Sequence, residues 1–160
     1  MKVSFRRIKA DRPLFDERRF RATLENAGEM AAKAILIDYR VTHQTWKTNP
    51  QFQIKKAGTF EWHIYTENAI YGYVSGGTRP HEIRPKNPGG VLAFQANYTA
   101  KTAPRVIMSR QGGASGPTVT AKAVHHPGTE ARDFPDVITE KWDREFPKQV
   151  ATALISALWL

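Results

Sequence analysis

Gly76-Gly77-Thr78-Arg79-Pro80-His81 and His126-Pro127-Gly128-Thr129 are the two stretches that decide how this chain folds. Each joins a glycine, which adopts positive φ without steric cost, to a proline whose φ is fixed. Each follows an apolar run typical of a strand, residues 70–74 before the first and residues 119–124 before the second. The pattern predicts two sharp turns that leave a sheet. The alternative is that these are tight turns with no task of their own.

The segment before the first turn also predicts β structure. Apolar and polar residues alternate over residues 51–55 and again over residues 60–65, and residues 56–59 between them are typical of a hairpin turn. Asn68 is expected to open a turn into a further strand over residues 69–74. A short strand is predicted over residues 91–94.

A second hairpin is predicted between the two Gly-Thr turns. Its strands are expected over residues 105–109 and 117–121, on either side of residues 111–116, which contain three glycines. Those glycines favour a flexible, projecting tip. A disordered surface loop is the alternative interpretation.

Two helices are predicted at the ends of the chain. After a strand over residues 2–8, Asp16 is expected to cap the first helix, with Phe15 and Phe20 as a hydrophobic staple. An apolar stripe of that helix consists of Phe20, Leu24, Ala27, Ala31, Ala34 and Ile35. Gly28 within it is expected to mark a close approach to a sheet.

The second helix is predicted to begin near Pro135 and to be kinked or split at Pro147. Its packing face on the sheet is predicted to be Phe134, Ile138, Trp142 and Phe146. Trp159 and Leu160 leave an apolar end that is expected to contact another subunit.

Together these elements predict one α+β domain over residues 1–160. An antiparallel or mixed β-sheet is packed by a long N-terminal helix and a C-terminal helix, and a β-hairpin projects from it. Residues 97–117 are expected to be a long loop or that hairpin.

The composition limits the classes of protein to consider. The chain has 160 residues, of which 41% are apolar, which suits a globular domain with its own core. It has no cysteine, so disulfides and thiolate metal sites are excluded. The N-terminus lacks the apolar segment of a signal peptide, and residues 151–160 are shorter than the ~20 residues of a membrane span. We expect a soluble protein that does not enter a membrane.

The net charge is +9, and no Asp or Glu lies between Glu82 and Glu130. A basic surface without carboxylates attracts nucleic acid or an acidic protein face. A solvated loop that happens to lack carboxylates is the alternative. The candidate contact residues are Arg84, Lys86, Lys101, Arg105, Arg110 and Lys122.

The sequence shows no catalytic constellation. No serine lies in a nucleophile-elbow context, and no histidine pair has the helical spacing of a zinc hydrolase. The acid-free central region is unsuited to the carboxylate-bound metal ions of a nuclease. A metal site through His81 with His125 or His126 is the remaining alternative. We therefore predict no enzyme, no catalytic residue, no metal site and no cofactor.

The order of these motifs resembles the tail-completion, or head-to-tail joining, family of long-tailed bacteriophages. The resemblance rests on residues 77–85 leading into the strand at 91–94, on His126-Pro127-Gly128-Thr129, and on Arg132-Asp133-Phe134 before the last helix. It extends from about residue 15 to the C-terminus and is densest over residues 71–134. Relatives often carry an acidic residue where this chain has Ser75-Gly76, and residues 97–117 are longer than the family usually needs.

The resemblance implies a structural protein of the virion. Related proteins form a homo-oligomeric ring, here expected to be a hexamer, in the phage neck. The implied partners are head connector or portal-side proteins, the tail tube or tail terminator protein, and the phage DNA that passes through the channel. The protein would be made in the cytoplasm of the host bacterium. A stand-alone basic nucleic-acid-binding module is the alternative function.

Overall fold

The computed structural model describes residues 16–158, and it confirms the mixed α+β class. The predicted strand over residues 2–8, the Phe15 staple and the apolar end at Trp159 and Leu160 lie outside the described residues. The elements are α1 (Glu17–His43), β1 (Gln53–Gly58), β2 (Glu61–Tyr65), α2 (Ala69–Gly76), β3 (His81–Ile83), β4 (Leu92–Thr99), β5 (Gly113–Ala121), β6 (Val124–His126) and α3 (Phe134–Leu158).

Helix α1 begins as the sequence predicts. The Asp16 carboxylate accepts hydrogen bonds from the backbone N–H groups of Arg18 (3.0 Å) and Arg19 (3.1 Å), which have no partner inside the helix. The buried face is made of small residues, Ala27, Gly28, Ala31 and Ala32, while Phe20 and Leu24 are half-buried. Small side chains let neighbouring elements approach the axis of α1 closely.

Gly28 marks one such approach. A Cβ atom at this position would lie 2.6 Å from Cη2 of Trp62, so the indole ring of β2 occupies the space that a side chain would need. The predicted close contact between helix and strand is confirmed. Since real Cβ contacts are longer than 3.0 Å, even alanine forces the ring to move.

Helix α3 packs on α1, whereas we expected its apolar face to lie on the sheet. Ile138 and Trp142 form a buried cluster with Ala31 of α1. The Trp142 Nε1–H also donates to Asp38 at 2.7 Å, and Lys141 forms an ion pair with the same carboxylate. The alanine face of α1 is therefore the surface that receives the large side chains of α3.

Phe146 was predicted to extend this packing face, and that prediction is wrong. Its side chain is 40% exposed and borders an open groove beside Ile35 and Trp142. Pro147 lies inside α3, which continues to Leu158 without being split. Helical spacing identifies the residues of one face, but the length of the face that is covered depends on the neighbouring element.

A second cluster is aromatic. Phe134 is fully buried against Tyr71 and Phe52, with ring centroids 5.5 Å apart for Phe134 and Tyr71 and 4.8 Å apart for Phe52 and Tyr71. The Tyr71 hydroxyl shares a 3.0 Å hydrogen bond with Thr42, and burial raises the pKa of Tyr71 above its ordinary value. This cluster ties the start of α3 to α2 and to the strand region after α1.

The segment over residues 69–74 was predicted to be a strand, and the structure shows that this is wrong. It forms α2, whose N-cap Asn68 accepts a hydrogen bond from the Tyr71 N–H at 2.9 Å. Tyr71 and Ser75 are buried four residues apart on one face. A short apolar run does not distinguish a strand from a helix, and the hydrogen bond that the Asn68 side chain accepts favours the helix here.

The strands form three two-stranded antiparallel ladders among the described residues: β1–β2, β3–β6 and β4–β5. The first is the predicted hairpin, with Ile54 opposite Ile64 and its turn at residues 59–60 instead of 56–59. Phe60 is consequently 49% exposed at the turn.

The second predicted hairpin exists, but one of its strands was assigned wrongly. Residues 105–109 form no strand, and β5 pairs instead with β4, with Phe94 opposite Val119. The glycines were expected to make a flexible tip, which is also wrong. Gly113 and Gly116 lie in β5, and Gly112 packs against the Thr99 carbonyl oxygen, 2.6 Å from where its Cβ would be.

The loop over residues 100–112 is held against the helical part of the molecule. The Thr45 hydroxyl donates to the Arg110 carbonyl at 2.9 Å, and the Lys101 ammonium donates to the Thr45 carbonyl. The Arg105 N–H donates to the Arg132 carbonyl at 3.1 Å.

None of the helices formed by the described residues has an apolar stretch of the length that a membrane span requires.

Replacement of Trp142 by alanine is expected to destabilise the domain strongly. It removes a buried indole and leaves Asp38 without one of its donors, which corresponds to about 3–5 kcal/mol. Phe146→Ala is the control, because that side chain is already 40% exposed and should cost much less. Urea unfolding measures both, and equal midpoints for the two variants would contradict the assigned packing face.

His43 predicts a pH dependence of stability. Its ring is buried, stacks on Phe52, and neither ring nitrogen has a hydrogen-bond partner among the described residues. Burial lowers the pKa of His43 below its ordinary 6.5, with the charge of Arg40 acting in the same direction. The unfolded chain then binds the proton more readily, so this contribution is complete above pH 6.5 and is lost as the pH falls below it.

His43→Phe should therefore reduce the loss of stability below pH 6.5 relative to the parent. Phenylalanine keeps the stacking on Phe52 and cannot be protonated. His125→Gln is the control, since that histidine is exposed. Thermal melts across this pH range provide the measurement, and parallel curves for parent and His43→Phe would refute the assignment.

Candidate functional site

The structure brings the two Gly-Thr turns together. Thr78 and Thr129, 51 residues apart, form an isolated antiparallel bridge. The Thr78 N–H donates to the Thr129 carbonyl at 2.9 Å, and the Thr129 N–H donates to the Thr78 carbonyl at 3.1 Å. The Thr78 hydroxyl also lies 2.9 Å from the Thr129 nitrogen and accepts from it. The threonines of the two motifs thus contact each other directly.

Both glycines are required by this contact. Gly77 has φ 75° and ψ 173°, a combination that essentially only glycine adopts, and Gly128 has φ 92°. A Cβ at Gly77 would lie 2.7 Å from the Thr129 carbonyl oxygen, and one at Gly128 would lie 3.0 Å from the Arg79 carbonyl carbon. Each glycine allows its turn to press on the backbone of the other turn.

The histidines of the two motifs are paired in the β3–β6 ladder. His81 lies opposite His126, and their rings stack with centroids 5.1 Å apart. The His81 Nδ1 lies 2.9 Å from the Arg79 carbonyl oxygen, so it carries the proton of that hydrogen bond. The His126 Nδ1 accepts from the Gly128 N–H at 3.0 Å. Both imidazoles hold the backbone of their own turn.

This arrangement bears on the alternative of a metal site. Because the His126 Nδ1 accepts the Gly128 N–H, the proton of the neutral ring is on Nε2, which therefore has no lone pair for a metal ion. His125 lies opposite Glu82 in the ladder. Within residues 16–158 no group of three or more histidines and carboxylates is placed to hold a metal ion.

The turns are joined to both neighbouring helices through Ser75. The buried Ser75 carbonyl at the end of α2 accepts from the N–H groups of Arg132 (2.9 Å) and Asp133 (3.0 Å), immediately before α3. Asp133 has φ 53°, an uncommon conformation for a residue other than glycine. The stretch that was expected to begin the last helix is therefore part of the same unit as the Gly-Thr turns.

Four of the six candidate basic residues are engaged within the chain. Arg84 forms an ion pair with Glu82 at 2.9 Å, and Arg105 forms one with Glu140 of α3 at 2.6 Å, which raises the pKa of Arg105. The Arg110 Nε–H donates to the Ala100 carbonyl at 3.0 Å, and Lys101 is bonded to Thr45. These four side chains help to hold the loops that carry them.

Lys86 and Lys122 are different, since both are exposed and neither shows an ion pair with another described residue. In the antiparallel ladder Ile83 lies opposite Val124. Residues shortly after Ile83 and shortly before Val124 consequently emerge at the same end of β3–β6. The structure places Lys86 and Lys122 at that end, away from the Thr78–Thr129 bridge.

Arg132 is a residue whose importance the sequence did not reveal. It was noted only as the start of the helix, yet the structure buries it, with 9% of its surface exposed, in a cleft beside the second Gly-Thr turn. The one feature of the sequence that could have drawn attention to Arg132 is its position three residues after Thr129. Sequence alone does not show that a charged residue at such a position is buried.

Comparisons with known proteins give no relative. No family model, no curated protein and no solved structure matches this chain.

Gly77→Ala and Gly128→Ala are each expected to destabilise the protein by at least about 1–3 kcal/mol, the usual cost of a residue forced into such backbone conformations. The matched control is Gly76→Ala, because a Cβ there meets nothing within 4 Å and the backbone has ordinary φ. Thermal melts compare the three variants. The account of the turns fails if Gly76→Ala and Gly77→Ala melt at the same temperature.

Proposed function

We propose that this protein is a structural component of the neck of a long-tailed bacteriophage, a tail-completion protein whose copies form a ring between the head connector and the tail and surround the DNA channel. The observation that carries the proposal is the direct pairing of Thr78 with Thr129. The motifs on which the resemblance rests are 51 residues apart in sequence and form one unit in space. Their roles are structural, since their polar groups are used to hold the two turns.

The β4–β5 hairpin supplies the surface for ring contacts. Its two strands contain no charged residue, and nearly all of their side chains are exposed. Each strand pairs on one side only among the described residues, so each has a free edge. An isolated two-stranded hairpin is marginally stable in water, and free edges are ready to pair with another chain. Contacts with a neighbouring subunit would both stabilise the hairpin and pair its free edges.

A ring is built from heterologous contacts, in which one face of a subunit meets a different face of the next. The exposed apolar side chains of the hairpin include Phe94 (41% exposed) and Val119 (36%). Exposed apolar residues also occur elsewhere, for example Tyr73 (61%) on α2 and Met30 (69%) on α1. A charge-free hairpin meeting such a face allows copies of a chain with net charge +9 to associate with less repulsion.

Lys86 and Lys122 are the basic residues that we assign to the DNA channel. Both are exposed and lie at the same end of β3–β6. Of the six residues considered from sequence, these two are the ones whose side chains show neither an ion pair nor a hydrogen bond with another described residue. In this proposal the head connector and the tail tube or tail terminator are the neighbouring partners, and the protein belongs to the virion.

A stand-alone nucleic-acid-binding module is the second candidate. The observation that favours it is the same pair of exposed lysines, since unneutralised cations attract phosphate in any setting. The two functions differ in their assembly. A monomer that binds duplex DNA at moderate salt supports the module, and a ring with weak affinity for DNA supports the neck protein.

The experiment is to measure the mass of the purified full chain in solution by light scattering and to image it by negative-stain electron microscopy. The expected result is a ring of six subunits. Phe94 and Val119 face each other across the hairpin, so Phe94→Lys with Val119→Lys charges one of its faces. This double variant should still fold, because both side chains are partly exposed and a pair of opposed lysines costs little at such a site, and it should remain a monomer.

The matched control is Gln95→Lys with Thr118→Lys, a directly opposed pair at the next position of the same ladder and on the other face. It adds the same charge and should still form rings. A monomeric parent overturns the proposal. If both double variants form rings equally well, the face of the hairpin that carries Phe94 is not part of the contact between subunits.

A further inference from the structure

A cleft of about 470 Å³ opens beside the second Gly-Thr turn. Its walls come from the turn after α1, from α2, from the ends of β4 and β5, and from the segment between β6 and α3. The side chains that matter for its chemistry are Trp46, Lys47, Tyr98, Lys101, His126 and Arg132. None of the described residues that line it is Asp or Glu, so the cleft has a positive potential.

Arg132 is the central cation of this cleft. Its Nε–H donates to the Thr102 hydroxyl at 3.2 Å, and its Nη1 is 3.6 Å from the Glu130 carboxylate, whose side chain is 76% exposed. A guanidinium has five N–H donors, and these contacts engage only two of its nitrogens. A nearly buried charge with so weak a counter-ion is unfavourable unless an anion completes its coordination.

The backbone of Arg132 is fixed at the cleft. Its N–H donates to the Ser75 carbonyl at 2.9 Å, and its carbonyl accepts from the Arg105 N–H at 3.1 Å. Arg105 and Asp133 both adopt positive φ, 56° and 53°, to make these contacts. The backbone from which the guanidinium extends is therefore held by hydrogen bonds at both its N–H and its carbonyl, which lowers the entropic cost of ordering it when a ligand binds.

Two lysines add to the charge. The half-buried Lys101 ammonium donates to the Thr45 carbonyl, and two of its three donors remain for a ligand. Lys47 is exposed and lines the same opening. The cleft thus combines one guanidinium with two ammonium groups, a set typical of phosphate recognition.

Aromatic rings line the same space. Trp46 is held by edge contacts with His43 and by Tyr71, with ring centroids 6.0 Å and 5.8 Å away. Tyr98 extends from β4 with 72% of its surface exposed. Tyrosine and tryptophan are the side chains on which nucleobases stack. A carboxylate from an acidic peptide would satisfy the cations but would make no use of these rings.

The geometry points to a nucleotide-binding cleft, in which Arg132, Lys101 and Lys47 bind a phosphate and Tyr98 and Trp46 contact the base. Clefts of this volume are of the size that takes a small ligand. The bases of a duplex are stacked on each other and are not free to enter it, so the ligand is a free nucleotide or one unit of a single-stranded nucleic acid. This inference does not depend on ring formation.

The test is titration calorimetry of the full chain with thymidine 5′-monophosphate, thymidine, inorganic phosphate and a single-stranded oligothymidylate. The monophosphate should bind more tightly than either phosphate or thymidine, because only it engages the cations and the rings together. Oligothymidylate that competes with the monophosphate identifies a nucleic-acid strand as the ligand. Binding of the monophosphate alone identifies a free nucleotide.

Two variants locate the binding. Tyr98→Ala should weaken it about tenfold, as the loss of base stacking does in single-strand binding proteins, and should not affect folding because Tyr98 is exposed. Lys47→Gln should weaken binding of the monophosphate but not of thymidine. The controls are Tyr73→Ala and Lys55→Gln, an exposed tyrosine on α2 and an exposed lysine on β1, neither of which lines the cleft.

Three results overturn the inference. The first is monophosphate that binds no more tightly than inorganic phosphate. The second is an equal loss of affinity in the cleft variants and in their controls, which indicates non-specific attraction to a basic protein. The third is displacement of the nucleotide by an oligoglutamate peptide whose affinity is unaffected by Tyr98→Ala. Since binding and molecular mass are measured separately, failure here is distinguishable from a failure to form rings.

Discussion

The backbone bridge between Thr78 and Thr129 is the constraint on which the rest of the site depends. It closes a segment of about fifty residues that contains β3–β6, the β4–β5 hairpin and all six candidate basic residues. Closing a long segment costs conformational entropy. Here the opposing contributions come from the two threonine hydrogen bonds, the stacked His81 and His126, and the Ser75 carbonyl that links α2 to the start of α3. The closure brings both ends of the segment that carries the hairpin together beside the cleft.

Local signals in the sequence predicted what local chemistry decides. The Asp16 cap of α1, the positive φ of Gly77 and Gly128, and the close approach at Gly28 each depend on one residue and its immediate surroundings. The α2 helix was missed because residues 69–74 are as apolar as a strand, and the Asn68 cap was interpreted as a turn. In such a short run the side-chain period is not resolved, and the helix is favoured by the Asn68 cap together with the burial of Tyr71 against Phe52 and Phe134.

The errors in the central region have a different cause. Which strand pairs with β5 depends on where residues 100–112 are anchored, and the anchors are Thr45 after α1 and Arg132 before α3. These two anchors lie outside the segment, so the sequence of the segment does not reveal them. The glycines illustrate the same point, since Gly112 is needed for contact with the Thr99 carbonyl and Gly116, with φ 85°, for contact with Asn97, whereas their composition suggested flexibility.

The charge distribution shows why a region without carboxylates in sequence is not a region without carboxylates in space. Arg105 lies far from any acidic residue along the chain, yet Glu140 of α3 neutralises it at 2.6 Å. Folding therefore pairs some cations closely with carboxylates and leaves others weakly paired, such as Arg132, whose Nη1 is 3.6 Å from the exposed Glu130 carboxylate and which borders a cleft with no acidic lining residue. For a basic protein, the charges available to a nucleic acid are those that remain after this internal pairing, and here they include Lys86, Lys122 and the cations of the cleft. The former pair suits a channel that any DNA sequence traverses, because exposed ammonium groups attract phosphate without reading bases. The cleft combines cations with aromatic rings, so its contacts extend from the phosphate to the base.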